Sequence, residues 1–174
     1  MKLRVKRINE NAVLPSKRAG DAGYDLTATD FQITHQYIEY NTGIAVAIPD
    51  GYVGLLFPRS SVSKYDLILA NCVGVIDSSY RGEVKLRFKA LPREGVNFIR
   101  YDTGDKIGQL VIVPILEPEI EEVNTLDSTE RGEGGFGSTG IKVVGCPLVP
   151  KDAVHLIDSS GNEHVINNLA VEEE

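Results

Sequence analysis

The 174-residue chain has only two cysteines and three histidines, and no apolar run that approaches the roughly 20 residues of a membrane span. Each shortage removes a class of protein. Cys72 and Cys146 are too few for a disulfide framework or a zinc site. Cys72 lies inside the apolar run LILANCVGVI and reads as a small core residue. His35, His155 and His164 have no metal-ligand spacing and read as surface or hairpin residues. Positive charge is also scarce: 18 basic residues against 25 acidic ones give a formal charge of −7. A chain without a basic surplus is not built for broad binding to nucleic acid backbones or anionic membranes, although a few placed arginines could hold a small anion. The opening MKLRVKRINE alternates charged and apolar residues, so it does not read as a signal peptide. A cytoplasmic location is expected. Amphipathic helical spacing is missing as well.

Alternation with period two takes its place. In VKLRFKAL, Val84, Leu86, Phe88 and Ala90 alternate with Lys85, Arg87 and Lys89, as in a strand with one face in solvent. KLRVKRI, GIAVAIP, YVGLLF, LILANCVGVI and KIGQLVIVPIL are further strand-like runs. Turn signals separate them at Pro49-Asp50-Gly51, at residues 92–95 and at Asp102 to Asp105. Many short strands with Gly and Pro turns predict an all-β sandwich, jelly roll or barrel. One short helix is expected in FPRSSVSKYDL, capped by Ser60 or Ser61 and running through Ser63 to Asp66. A helix start suits an anion, and Arg59 beside it adds a bidentate donor fork. After Gly140, IKVVGCPLVP reads as a strand and AVHLIDSSGNEHVI as a hairpin turning at residues 159–162.

The segment RGEGGFGSTG, residues 131–140, is half glycine. Such a run stays mobile unless something holds it, and Phe136 is out of place in a plain linker. It is no Walker-type phosphate loop, because no lysine follows the glycines and no strand leads directly into them. Phosphate binding therefore has to be assembled from separate places. The candidates are AGYDLTA (22–28), PRSS (58–61), NCVGVIDSSYRGE (71–83), GDKIGQL (104–110) and the glycine-rich segment itself.

In order, spacing and wording these five stretches resemble the five motifs of the trimeric dUTP pyrophosphatase (dUTPase) family, over roughly residues 1–140. The resemblance implies a distorted jelly-roll β-barrel core over 1–130, a glycine-rich arm at 131–140 that closes over nucleotide, and an extension at 141–174. It implies a homotrimer with shared active sites that hydrolyses dUTP to dUMP and pyrophosphate. That reaction keeps uracil out of DNA and supplies dUMP for thymidylate synthesis. Asp77 matches the aspartate that deprotonates the attacking water. Asn71, Gly74, Val75 and Ile76 match the uracil-reading hairpin, which works largely through its backbone, and Tyr80 matches the tyrosine under the deoxyribose. Arg59, Ser60, Ser61 and Gln109 match phosphate ligands. In the arm, Arg131 would grip the γ-phosphate, Phe136 would stack on uracil, and Gly137, Ser138 and Thr139 would approach the nucleotide. Asp25 matches the carboxylate that supports Mg²⁺ through its water shell.

The match fails after Gly140, where the family usually ends and this chain has 34 more residues. Val143, Val144, Leu148, Val149, Val154, Leu156 and Ile157 need a place out of water. Packing on a neighbouring subunit is therefore favoured over a free hairpin that binds a protein partner. Two rival functions remain. A dCTP deaminase, which shares the jelly-roll core, needs a glutamate ten residues beyond Asp77, where this chain has Arg87, a group that cannot shuttle a proton at neutral pH. A regulatory switch read by nucleotide occupancy rests on the C-terminal extension alone.

Overall fold

The structure is a computed structural model that describes residues 2–91, 97–134, 154–157 and 163–166. It divides into two compact units, Met1–Ile120 and Glu121–Glu174.

The first unit is all-β. Its strands are β1 (Arg4–Arg7), β2 (Tyr24–Thr27), β3 (Asp30–Ile33), β4 (Ile38–Ala47), β5 (Tyr52–Phe57), β6 (Leu67–Leu69), β7 (Gly74–Ile76), β8 (Glu83–Ala90) and β9 (Lys106–Pro114). They form two antiparallel sheets. One runs β1-β4-β8-β6, with β3 also on β4, and the other runs β2-β9-β5-β7. Alternation in the sequence sets which face is buried: Val84, Leu86 and Phe88 point inward from β8 while Lys85 and Arg87 stay exposed. The inner faces meet in a common core that includes Leu26, Tyr40, Val46, Leu56, Ile107 and Leu110. Tyr40, Phe88 and Tyr101 meet there edge to face, a geometry that suits the aromatic quadrupole. The sheets pack tightly at Gly108, where an added Cβ would lie 2.5 Å from Leu86 Cδ2 of the facing sheet. This is the expected double-sheet jelly roll.

Four local expectations need correction. The run LILANCVGVI is two strands in different sheets rather than one. Leu67 and Leu69 are buried in one sheet and Gly74 and Ile76 in the other, so residues 70–73 must turn sharply between them. Cys72 sits at that turn with φ 58°, exposed to solvent, and is not a core residue. The short helix is a 3₁₀ turn, Ser60–Lys64, entered from an extended Arg59 with no side-chain cap. It cannot reach Asp66, because Tyr65 is already extended and the buried Asp66 carboxylate accepts the Ile99 N–H at 2.9 Å. The hairpin expected over residues 71–83 carries no ladder between its two sides. β7 pairs with β5, β8 pairs with β4 and β6, and residues 77–82 form a corner between the sheets.

In the second unit, β10 (Val154–Ile157) pairs antiparallel with β11 (Glu163–Ile166), Val154 opposite Ile166 and Ile157 opposite Glu163. This is the hairpin the alternation predicts. Its turn, the strand expected in IKVVGCPLVP and the turn expected at 92–95 lie outside the described residues.

Candidate functional site

Two groups of side chains form on the first unit. The first is organised by β9, whose Gln109 stands opposite Asp25 of β2 on one side and Phe57 of β5 on the other. That register brings three sequence stretches to one point. Asp25 Oδ1 accepts from Arg59 Nε at 3.0 Å and from Gln109 Nε2 at 3.5 Å, and Oδ2 accepts from Lys106 Nζ at 2.8 Å. Gly23 leaves room for this, since a Cβ there would meet Gln109 Cβ at 2.9 Å. Burial pushes the Asp25 carboxyl up. The Lys106 hydrogen bond, the Arg59 charge and the Gln109 hydrogen bond outweigh it and hold the group below the usual aspartate value. Ser60 and Ser61 open the 3₁₀ turn directly after Arg59.

The second group lines a cavity of about 570 Å³. Asn71, Gly74, Val75, Ile76, Asp77 and Tyr80 form one wall, and Tyr37, Glu39, Lys85 and Arg87 stand on another. β7 is the last strand of its sheet, and Val75 is 62% exposed between buried Gly74 and Ile76. Its outer backbone groups have no strand partner among the described residues. Asp77 is exposed just beyond β7, in a turn closed by the Tyr80 N–H donating to the Asp77 carbonyl at 3.1 Å. Tyr80 Oη donates to the Glu83 carbonyl at 3.0 Å.

Sequence reasoning missed the opposite wall. Glu39 Oε1 accepts from Lys85 Nζ at 2.9 Å and Oε2 from Arg87 Nε at 2.7 Å, and the Arg87 guanidinium lies 4.5 Å from the centre of the Tyr37 ring. The Lys85 hydrogen bond lowers the Glu39 pKa, burial opposes it, and the Arg87 hydrogen bond adds to the lowering. Only the β4–β8 register, which sets Glu39 opposite Arg87, reveals this cluster. Lys106 was visible inside GDKIGQL, but its role depends on the pairing of β2 with β9.

The cavity wall contains none of Asp25, Arg59, Ser60, Ser61 or Gln109. Gly54 pairs with Ile76, so Asp77 falls beside Val53 and Arg59 comes six residues later along β5 and its exit. At about 3.3 Å per residue the two backbones are roughly 15–20 Å apart. Arg131 belongs to the second unit, where its Nε donates to the Gly134 carbonyl at 2.8 Å. Phe136, Gly137, Ser138 and Thr139 lie outside the described residues.

The side chains around Asp25 suit Mg²⁺ only as outer partners. Among the described residues no three carboxylate, histidine or cysteine side chains gather into a metal cage. Asp25 is one carboxylate already bonded to two cations. That fits an ion held mainly by phosphate oxygens and water, the preference of Mg²⁺, with Asp25 at its periphery.

The dUTPase family model matches residues 9–140. The chain belongs to the dUTPase family. Deoxyuridine 5'-triphosphate nucleotidohydrolase of Cutibacterium acnes is 45% identical over 129 residues, covering 72% of this chain and 83% of its own length. Its Hydrogenobaculum counterpart is 40% identical over 147 residues, covering 82% of this chain and all of its own. Among solved structures, a mutant of the Staphylococcus bacteriophage 80alpha dUTPase with dUpNHpp aligns with TM-score 0.71 and 33% identity, covering 80% of this chain and 99% of that one. A mutant dUTPase of phage phi11 of S. aureus, solved with a structural Mg(II) ion, aligns with TM-score 0.61 and 32% identity, covering 72% and 98%. The matched dUTPase region contains all five motifs and stops at Gly140, before β10 and β11. Among the described residues no helix is long and apolar enough to cross a membrane.

Proposed function

We infer that this protein hydrolyses dUTP to dUMP and pyrophosphate, with Asp77 as the general base for water attacking the α-phosphorus. The observation that carries the reading is the single cavity in which Asn71, the β7 edge, Asp77 and Tyr80 stand together. Unpaired backbone groups on β7, with Asn71, read the uracil edge. Cytosine would leave buried polar groups unpaired there, a mismatch that can cost a factor of about 10⁴. Tyr80 packs under the deoxyribose and leaves no room for a 2′-hydroxyl.

Arg59, Ser60, Ser61 and Gln109 bind the phosphates, and Asp25 orients Arg59 and Lys106 for them. Asp25 would support Mg²⁺ through the ion's water shell, and the ion would supply neutralisation of the triphosphate charge. Arg131 grips the γ-phosphate, Phe136 stacks on the base for about 1–3 kcal/mol, and Gly137, Ser138 and Thr139 complete the closure and exclude water. In this reading the protein is a homotrimer whose sites combine the cavity of one chain with the Asp25 group of another, which the disjoint positions of Asp77 and Arg59 support.

A deaminase reading finds no proton shuttle. Arg87 is bonded to Glu39, and Glu39 is held ionised between two cations. The deciding assay measures pyrophosphate release from dUTP, dTTP, dCTP and UTP. Activity on dUTP alone is expected, and ammonia release from dCTP would overturn the assignment.

A further inference from the structure

We infer that Arg81 is a positioning residue for hydrolysis, fixing the turn that carries Asp77. Its Nη1 donates to two carbonyl oxygens of that turn, Ser78 at 2.6 Å and Tyr80 at 2.7 Å. With the Tyr80 N–H on the Asp77 carbonyl, these bonds clasp residues 77–80 from both sides. Besides Arg81 the turn is held by the Tyr80 Oη bond to the Glu83 carbonyl, and among the described residues no side chain from another element is hydrogen-bonded to it.

Within one chain the turn is exposed at Asp77, Ser79 and Tyr80, so packing inside that chain holds it weakly. A guanidinium suits the task because its planar N–H groups meet converging acceptors without a large loss of rotamer freedom. No carboxylate is paired with Arg81 among the described residues, which leaves its charge free to strengthen both bonds. Arg81 lines a separate cleft with Lys2, Arg4 and Asp50 and does not line the cavity that holds Asp77. Arg81 does not touch substrate in this scheme. It sets where the Asp77 carboxylate points, and a misplacement of the order of 1 Å costs up to about 100-fold in rate.

The inference rests on dUTP hydrolysis, and the test separates the two. Arg81→Ala and Arg81→Lys are made in the full chain and measured by pyrophosphate release, thermal melting and chemical rescue with a few millimolar guanidinium. Arg81→Ala is expected to lower kcat about 10- to 100-fold while KM for dUTP moves less than about threefold. Arg81→Lys is expected to keep more of the rate, and guanidinium to restore part of it to Arg81→Ala but not to change the wild type. An Arg81→Ala enzyme with kcat within about twofold of wild type overturns the inference. So does a loss that follows the unfolded fraction and ignores guanidinium. Should Arg81→Ala fail to fold, Arg81→Gln decides by the same kcat criterion. A wild type inert towards dUTP would sink the parent reading instead.

Discussion

The Asp77 turn and the Asp25 group are built in opposite ways. The first is local: residues 77–83 bond mostly to one another at an exposed corner between sheets. The second is assembled from β2, the exit of β5 and β9, and its charges are paired before any ligand arrives. The difference matches the two tasks proposed for these groups. A base that must meet water at one atom can be aimed by a short clasp. A surface that must hold several phosphate oxygens needs cations spaced by a rigid ladder, with a carboxylate to keep them in register.

Substitutions on each side should break the symmetry of the effects. Asp77→Asn removes the base but leaves the cavity, so kcat should fall by about 10²–10⁴ with little change in KM, read by pyrophosphate release. Arg59→Lys keeps charge but loses the fork that Asp25 and phosphate share, and KM should rise about tenfold with a smaller effect on kcat. If both variants instead changed the same constant, the proposed division of labour would be wrong.

Gly82→Ala sharpens the comparison within the local turn. An added Cβ would lie 2.3 Å from Tyr80 Oη, so the ring has to move. The ratio of kcat/KM for dUTP over UTP should drop by roughly tenfold, because the floor proposed to exclude a 2′-hydroxyl shifts. The smallest effect concerns acid stability. The folded pKa of Glu39 lies below its unfolded value of about 4.3, so its contribution is complete above that value and fades as pH falls through the folded pKa. Melting curves from pH 6 to pH 3 should show the gap between wild type and Glu39→Gln closing as the medium acidifies. A gap that widened would mean the Lys85 and Arg87 bonds do not stabilise the fold.

Strands whose alternation is uninterrupted were legible from the residues: β5, β8 and β9 fall where YVGLLF, VKLRFKAL and KIGQLVIVPIL place them. β2 and β3 were not, since Asp25, Thr27 and Asp30 blunt the apolar pattern. The first half of β4 was hidden by Glu39 and Asn41, whose neighbours are set only by pairing with β8. Cys72 was misplaced because hydrophobicity alone cannot show where a run changes sheets. For the site, motif wording pointed to Asp25, Arg59, Gln109 and Asp77 as candidates, and the structure brings the first three together. It could not give the Glu39 cluster, which exists only where two strands distant in sequence are aligned.

The position of β7 at the margin of its sheet carries one more consequence. In the proposed reading the base meets main-chain groups, atoms common to every amino acid except proline. Exchanging the side chain of Val75 should therefore leave nucleobase preference intact, and evolutionary drift at that residue would go unnoticed by the substrate. Selectivity would instead be vulnerable to anything that alters the course of the chain there, such as a proline or a bulky group at Gly74, where an added Cβ would press on Leu56 at 3.0 Å.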